Sequence, residues 1–310
     1  MCDDLTERDS RKWLAEKRLG RREFGALGVG ATVAVIAAAC DDGSDSTSSD
    51  ASVREADAGK SGEQRKTKAS KVSITTPDGT ADAYFVHPET GKHPAVLVWP
   101  DILGLRKAFE TMATQLAEDG YAVLVINQYY RTAKAPVLGS WDEWRTDEGR
   151  AKLQPMVAAL TPAAITSDAG AYVEWLDEQS AVDTGKKIGT SGYCMGGPFT
   201  FRTAASKPAR VGAFASLHGG GLVTSAADSP HLLFDEMKAS MLIAIAQNDD
   251  EREPNTKDVL KEAAAKAGLT AEIEVYPAQH GWCAIDSAAY DEAQAEKAYG
   301  RMVALFDRAL

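Results

Sequence analysis

The sequence predicts an α/β fold with a doubly wound, mainly parallel sheet and helices on both faces. Two observations indicate this architecture. Residues 94–100 are a continuous apolar run, as expected of a strand buried on both faces, and residues 121–127 are predicted to be the next buried strand. Between them, residues 108–119 carry Phe109, Met112 and Leu116 at helical spacing and end at Gly120. Repeated alternation of this kind favours a sheet whose ligands lie at the carboxyl ends of the strands.

The remaining elements follow in chain order. An antiparallel hairpin is predicted around the turn signal Pro77-Asp78-Gly79. Later strands are predicted at residues 188–191, 211–217, 241–246 and 271–276, and later helices at 161–179, 255–267 and 288–310. Residues 133–160 are polar with scattered Trp and Met, which predicts a loop with a short helix that acts as a lid.

Composition excludes several classes of function. The 310 residues are 44% hydrophobic and 25% charged, which is enough to bury a sizeable core. One catalytic domain with an N-terminal extension fits this length. A net charge of −11 argues against nucleic acid or anionic membrane surfaces as partners. The four cysteines lack metal-ligand spacing, so no metal site is predicted.

The N-terminal region has the composition of an export signal followed by a tether. Residues 1–39 contain Gly20-Arg21-Arg22-Glu23-Phe24 and then an apolar segment too short to span a bilayer comfortably. The paired arginines resemble the twin-arginine signal, so we expect an exported protein. We expect cleavage at the end of this segment, either before Cys40 with lipidation of that cysteine or by ordinary signal peptidase, and the alternative is an uncleaved N-terminal anchor. Residues 40–70 are polar and predict a disordered linker, with the catalytic domain at 71–310.

Cys194 is the candidate nucleophile. It follows an apolar run and lies at the centre of Gly192-Tyr193-Cys194-Met195-Gly196, the frame of a nucleophile elbow with cysteine in place of serine. Glycines two positions away on each side fit the crowding expected at such a turn. The start of a helix would also stabilise the thiolate. The alternative is a buried structural cysteine in a glycine-rich turn.

An acid and a base follow Cys194 in the order expected of an elbow enzyme, each after a strand. Asp249 comes after the strand at 241–246, and His280 after the strand at 271–276. His280 would accept the thiol proton, and Asp249 would fix its tautomer. Asp250 is the rival acid. His218 begins the glycine-rich run His218-Gly219-Gly220-Gly221 and is expected near the site.

An oxyanion hole is expected from two backbone N–H groups. In an elbow enzyme one belongs to the residue after the nucleophile, which is Met195 here, and the other to the loop after an earlier strand. Ile102, in the loop that follows residues 94–100, is the best second candidate.

Four segments together resemble the dienelactone hydrolase family. They are Gly-Tyr-Cys-Met-Gly-Gly at the elbow, Trp99-Pro100-Asp101-Ile102-Leu103-Gly104-Leu105, Tyr129-Tyr130-Arg131 and Gln279-His280-Gly281-Trp282. The resemblance implies an α/β-hydrolase fold, no cofactor, and a triad of Cys194, His280 and Asp249 acting on a lactone.

The resemblance also assigns substrate-binding positions, which here are Asp101, Tyr129, Arg131 and Trp282. Asp101 stands where the family usually has a glutamate that contacts the resting thiol. Arg131 matches an arginine that holds the substrate carboxylate, but a second such position is Ala284. A broader ester or lactone specificity is therefore expected.

Two functions of different class follow from these patterns. The first is a cysteine-dependent hydrolase of a small-molecule ester or lactone, expected to be a monomer. The second is an exported binding protein that keeps the fold and a pocket without turnover. A thiol redox protein is a third possibility, in which Cys283 would be the resolving cysteine.

Overall fold

The computed structural model describes residues 65–310. The predicted export signal, the lipidation site at Cys40 and most of the predicted linker lie outside these residues. β1 begins at Thr67, four residues before the predicted start of the domain. Residues 67–70 pair with β2 through backbone hydrogen bonds, and such a ladder forms without apolar side chains.

A single eight-stranded sheet organises the described chain, in the order β1-β2-β4-β3-β5-β6-β7-β8. β1 and β2 are antiparallel, β2 pairs antiparallel with β4, and the remaining pairs are parallel. This confirms the predicted doubly wound sheet. The strands are β1 (Thr67–Thr76), β2 (Gly79–Pro88), β3 (Ala95–Trp99), β4 (Ala122–Ile126), β5 (Ile188–Tyr193), β6 (Val211–Leu217), β7 (Ser240–Ala246) and β8 (Ala271–Tyr276).

Helices connect the parallel strands and cover both faces. They are α1 (Lys107–Glu118), α2 (Trp141–Trp144), α3 (Asp147–Ala158), α4 (Pro162–Asp177), α5 (Gly197–Ser206), α6 (Gln247–Arg252), α7 (Thr256–Lys266) and α8 (Glu292–Ala309). α1 and α8 pack on one face in the cluster that contains Phe109 and Met302. α4 and α5 pack on the other face, in clusters that contain Tyr172 and Phe201.

The segment between β4 and α4 contains more regular structure than the sequence predicts. Instead of one short helix it forms α2 and α3, whose first turns are capped by the side chains of Ser140 and Thr146. Trp144, Leu153 and Met156 join Leu103 and Tyr129 in a separate apolar cluster. The scattered apolar residues of this segment are therefore the inward face of two short helices.

The strand order fixes where a ligand can reach the sheet. β3 lies between β4 and β5, and the chain leaves β3 toward β4 before it returns on the other side of β3 to form β5. Loops at such a switch point diverge and leave a crevice at the carboxyl ends of the strands. The loop at 100–104 and the turn at Cys194 follow these two strands. Within residues 65–310 no helix has both the length and the apolar character needed to cross a bilayer.

Candidate active site

Cys194 lies at the tip of a strained turn. β5 ends at Tyr193, residues 194–196 form one 3₁₀ turn, and α5 begins at Gly197. Cys194 has a φ of 53°, a left-handed conformation that is uncommon for a residue with a side chain and costs of order 1–3 kcal/mol. A strained backbone between a strand and a helix is typical of a nucleophile elbow.

The flanking glycines are required by close backbone contacts. A Cβ on Gly192 would lie 2.0 Å from the carbonyl oxygen of Gly196. A Cβ on Gly196 would lie 2.3 Å from the carbonyl oxygen of Trp99 at the end of β3. The prediction that crowding requires glycine at both positions is confirmed. The same contact brings the turn at Cys194 against the loop that contains Ile102.

Asp249 and His280 form a hydrogen-bonded pair. Oδ2 of Asp249 is 2.6 Å from Nδ1 of His280, and the backbone N–H of His280 donates to Oδ1 of Asn248 at 2.8 Å. Both segments follow strands that are neighbours in the sheet, because Ala246 of β7 is paired with Tyr276 of β8. The structure therefore brings together the acid and the histidine that the sequence identified.

The rival acid, Asp250, has a different partner. Its Oδ1 is 2.7 Å from Nζ of Lys257. Asp249 was expected in a loop, but it lies in the first turn of α6, where a negative charge is favoured by the unpaired N–H groups.

The environment keeps Asp249 ionised. Burial opposes the charge, but the charge and hydrogen bonds of His280 and Arg252 outweigh it and lower the pKa of Asp249 below its usual value. An ionised acceptor on Nδ1 keeps the proton on that nitrogen and leaves Nε2 without a proton.

The loop at 101–104 is held by Asp101. Its carboxylate forms two hydrogen bonds with Arg106, at 2.7 and 2.9 Å, and accepts one from the N–H of Leu103 at 2.9 Å. Complete burial raises the pKa of Asp101, and the Arg106 guanidinium offsets part of this effect. The carboxylate is thus directed to Arg106, and the contact with the thiol that the resemblance implies stays a prediction.

The two expected oxyanion donors lie on neighbouring segments. The hydroxyl of Tyr129 donates to the carbonyl oxygen of Ile102 at 2.7 Å and lies 4.0 Å from the sulfur of Met195. Burial raises the pKa of Tyr129, so the phenol stays protonated. The N–H of Met195 is in the first helical turn after β5, where N–H groups lack an acceptor within the helix.

Arg131 and Trp282 both contact other residues of the protein. Arg131 forms ion pairs with Asp168 at 2.8 Å and Asp78 at 2.6 Å, so two carboxylates neutralise its charge. Trp282 is fully buried and stacks on Tyr276 with ring centroids 5.3 Å apart. A contact of either residue with a substrate stays a prediction.

His218 has a more central position than its sequence context indicated. Its ring lies 5.0 Å from the ring of His280, 5.1 Å from Trp282 and 6.2 Å from Tyr193, measured between centroids. His218 thus packs between Tyr193, which precedes Cys194, and His280, the candidate base. It is buried, and within residues 65–310 neither ring nitrogen has a hydrogen-bond partner. Burial, and then the neighbouring His280, lower the pKa of His218 well below its usual value.

The second cysteine of the domain is unsuited to redox chemistry. Cys283 is a free, buried thiol and is therefore not paired with Cys194. Burial raises its pKa well above the usual value, and a thiol that stays protonated is a poor resolving cysteine. In the described part of the chain no cluster of three His, Cys, Asp or Glu residues has the arrangement of a metal site.

Substitution of Asp101 should destabilise the protein. In Asp101→Asn the guanidinium of Arg106, which is 8% exposed, loses its buried counterion and keeps only Asp286. Removal of one partner from a buried ion pair lowers the free energy of unfolding by about 3–5 kcal/mol. For Asp101→Asn we expect a decrease near the lower end of this range, measured by chemical denaturation. The control is Asp286→Asn, whose side chain is 39% exposed, with an expected loss of about 1 kcal/mol. Equal losses for the two variants would contradict this ranking.

His218 should make the stability depend on pH. The unfolded chain binds a proton at His218 near the ordinary pKa of 6.5, whereas the folded chain resists protonation. The contribution of His218 to the free energy of unfolding is therefore fully present above that pH. It is lost as the pH falls, by about 2 kcal/mol between pH 7 and pH 5. His218→Asn removes the titrating group and tolerates the left-handed backbone. Urea denaturation should give a smaller pH slope for this variant, and an unchanged slope would show that His218 is not responsible.

Comparison with known proteins identifies a family and several relatives. Residues 81–310 match the model of the dienelactone hydrolase family. A "Putative carboxymethylenebutenolidase" of Methylorubrum extorquens is 29% identical over 239 residues, which cover 76% of this chain and 79% of that protein. A carboxymethylenebutenolidase of Rhodococcus opacus is 29% identical over 137 residues, 43% of this chain and 48% of that protein.

A solved structure shares the fold. The "Putative Dienelactone Hydrolase" from Klebsiella pneumoniae subsp. pneumoniae MGH 78578 superposes with a TM-score of 0.68 at 24% identity, and the match covers 79% of this chain and 100% of that one. The parallel sheet and its helices are therefore those of the α/β-hydrolase fold. Because the family model matches most of the chain, from β2 to the C-terminal residue, the protein belongs to the dienelactone hydrolase family.

Proposed function

We propose that the protein hydrolyses a small, neutral carboxylic ester or lactone through an acyl-enzyme on Cys194. The observation that carries the proposal is the Asp249–His280 pair, 2.6 Å apart, at the same edge of the sheet as the strained turn with Cys194. Family membership supports hydrolysis of this bond type.

The first half of the reaction forms a thioester. His280 accepts the thiol proton at Nε2, and the thiolate of Cys194 attacks the substrate carbonyl carbon. The tetrahedral oxyanion is held by the N–H groups of Met195 and Ile102. Collapse breaks the carbon–oxygen bond of the ester, and the imidazolium returns its proton to the leaving alkoxide. In a lactone the alcohol stays attached to the acyl group.

The second half regenerates the enzyme. His280 removes a proton from water, which attacks the thioester carbonyl, and the proton then returns to the sulfur as the carboxylic acid leaves. Asp249 stabilises the imidazolium in both halves, since its lowered pKa keeps it negative. No step requires a metal or cofactor.

The contacts of Arg131 favour a neutral substrate. Its guanidinium already contacts the carboxylates of Asp168 and Asp78, and Ala284 stands at the second position where the family uses an arginine. A substrate carboxylate would have to displace one of these contacts. The acyl group that binds best therefore carries no charge.

Paired substrates test this proposal. We expect the purified, reduced protein to hydrolyse p-nitrophenyl acetate at least as well as p-nitrophenyl hemisuccinate, and a neutral butenolide at least as well as its carboxymethylene derivative. A free arginine would favour the carboxylate by roughly tenfold or more. A preference of that size that is lost in Arg131→Gln would refute the neutral specificity. No turnover of any of the four would instead support the non-catalytic binding protein.

A further inference from the structure

The N–H of Ile102, the second proposed oxyanion donor, shares a peptide unit with the carbonyl group of Asp101. A trans peptide is planar, and its N–H and C=O point in opposite directions. Whatever holds this carbonyl therefore also sets the direction of the N–H. The carbonyl oxygen accepts a hydrogen bond from Nε2 of Gln128 at 2.7 Å and one from the N–H of Gly104 at 2.9 Å. With both lone pairs of that oxygen occupied, the peptide has little freedom to rotate.

Other N–H groups of the same turn are already used. The N–H of Leu103 bonds to the carboxylate of Asp101, and that of Gly104 bonds to its carbonyl oxygen, both at 2.9 Å. Of the three N–H groups at residues 102–104, only that of Ile102 has no acceptor among residues 65–310. These three residues therefore leave a single N–H for a substrate oxygen.

Gln128 holds the peptide from the side opposite Cys194. Gln128 follows β4 and Cys194 follows β5, whereas the turn at 101–104 follows β3, which lies between these two strands in the sheet. A carbonyl group that is bonded on the β4 side leaves the N–H of the same peptide directed to the β5 side. The N–H of Ile102 is thereby turned to the side of the nucleophile.

The surroundings of Gln128 favour a fixed bond. The side chain is buried, so water does not compete for its amide. Nε2 also lies 3.4 Å from the carbonyl oxygen of Pro100, and two facing carbonyl oxygens require the amide nitrogen rather than the amide oxygen at this position. The adjacent residue, Tyr129, bonds to the next carbonyl, that of Ile102, at 2.7 Å. Two consecutive residues after β4 thus hold two consecutive peptides of the turn.

We infer that Gln128 is a positioning residue of the proposed hydrolase, whose amide fixes the peptide between Asp101 and Ile102 so that its N–H meets the oxyanion of the substrate. The inference rests on the proposed function and adds to it a side chain that acts through the backbone. Donors that are fixed in advance stabilise a transition state well, because they need no reorganisation when the charge develops. Without the amide the peptide can rotate, and the donor is present but misdirected.

Gln128→Met keeps the length and volume of the side chain and removes the donor. Loss of a whole oxyanion donor lowers kcat by roughly 10²–10³, so a donor that is only loosened should lower kcat for p-nitrophenyl acetate by roughly 10- to 100-fold, with little change in KM. Iodoacetamide provides a second readout, since the Cys194 thiolate displaces iodide and no oxyanion forms. The rate of this alkylation, followed by the mass of the Cys194 peptide, should stay within about twofold of wild type, because it depends on the thiolate alone.

Gln179→Met is the matched control. Nε2 of Gln179 donates to the carbonyl oxygen of Trp175 at 2.8 Å, so the same substitution removes the same kind of hydrogen bond. Gln179 lies between the end of α4 and the start of β5, at the edge of the sheet opposite the carboxyl ends of the parallel strands. Its ester hydrolysis and its alkylation should both proceed at the wild-type rates.

The inference is overturned if folded Gln128→Met retains the wild-type kcat, or if its hydrolysis and its alkylation fall by the same factor, as a general structural defect would cause. If circular dichroism shows that Gln128→Met does not fold, Gln128→Asn replaces it, because this amide is one methylene too short for the 2.7 Å bond, and the same outcomes apply. A wild-type protein that hydrolyses no ester would refute the proposed function and this inference together. An active wild type with an unaffected variant refutes the inference alone.

Discussion

Cys194→Ala should lower kcat/KM for p-nitrophenyl acetate by roughly 10⁴-fold or more, the scale seen when an enzyme loses its nucleophile. The reason is that the only group in the strained turn after β5 that can form a covalent bond to the substrate is removed. The turn itself should persist, because Gly192 and Gly196 maintain its backbone contacts. Initial rates at fixed pH, with folding checked by circular dichroism, measure the effect.

The matched control is the other cysteine of the domain. Cys283 is buried with a raised pKa and is not the proposed nucleophile. Cys283→Ala should therefore keep activity within a few fold of wild type. If Cys194→Ala retained a tenth of the wild-type activity, the assignment of the nucleophile would be wrong.

Asp249→Asn should have the second largest effect. The amide cannot support the imidazolium and leaves Nδ1 of His280 in the wrong tautomer, so we expect kcat to fall by about 10³–10⁴-fold with little change in KM. The neighbouring Asp250→Asn removes a carboxylate of equal charge that is paired with Lys257. Its effect on kcat should be less than about threefold, since such an ion pair contributes little.

The contrast between these two variants is more informative than either alone. Both remove one negative charge from α6, so a general electrostatic effect would lower the two rates equally. A larger loss in Asp250→Asn would reverse the assignment of the acid. Steady-state kinetics for the two proteins under the same conditions distinguish these outcomes.

Local patterns predicted much of the site. The glycines on either side of Cys194 are required by close backbone contacts within the turn and with the end of β3, and a requirement for glycine is visible in the sequence. Asp249 and His280 follow adjacent strands, and parallel strands bring their carboxyl ends to one edge of the sheet. Their pairing therefore follows from the order of the elements.

Other contacts depend on packing between distant segments and leave no local signal. Arg106 joins Asp101 to Asp286, which is 180 residues away, and nothing near Arg106 in the sequence predicts that partner. Arg131 resembles a substrate-binding arginine, yet its contacts with Asp168 and Asp78 come from α4 and the β1–β2 turn. His218 follows β6 and His280 follows β8, and the two rings meet because β7 pairs with both of these strands.

The most direct test of the account is to trap the covalent intermediate. Reduced protein is mixed with p-nitrophenyl acetate and quenched in acid within the first turnover. The protein is then digested, and the masses of the peptides are measured by mass spectrometry. One acetyl group is expected on the peptide that contains Cys194, formed faster than steady-state turnover and absent from Cys194→Ala. Turnover with an unmodified Cys194, or with the acetyl group on another residue that reacts at the same rate, would contradict it.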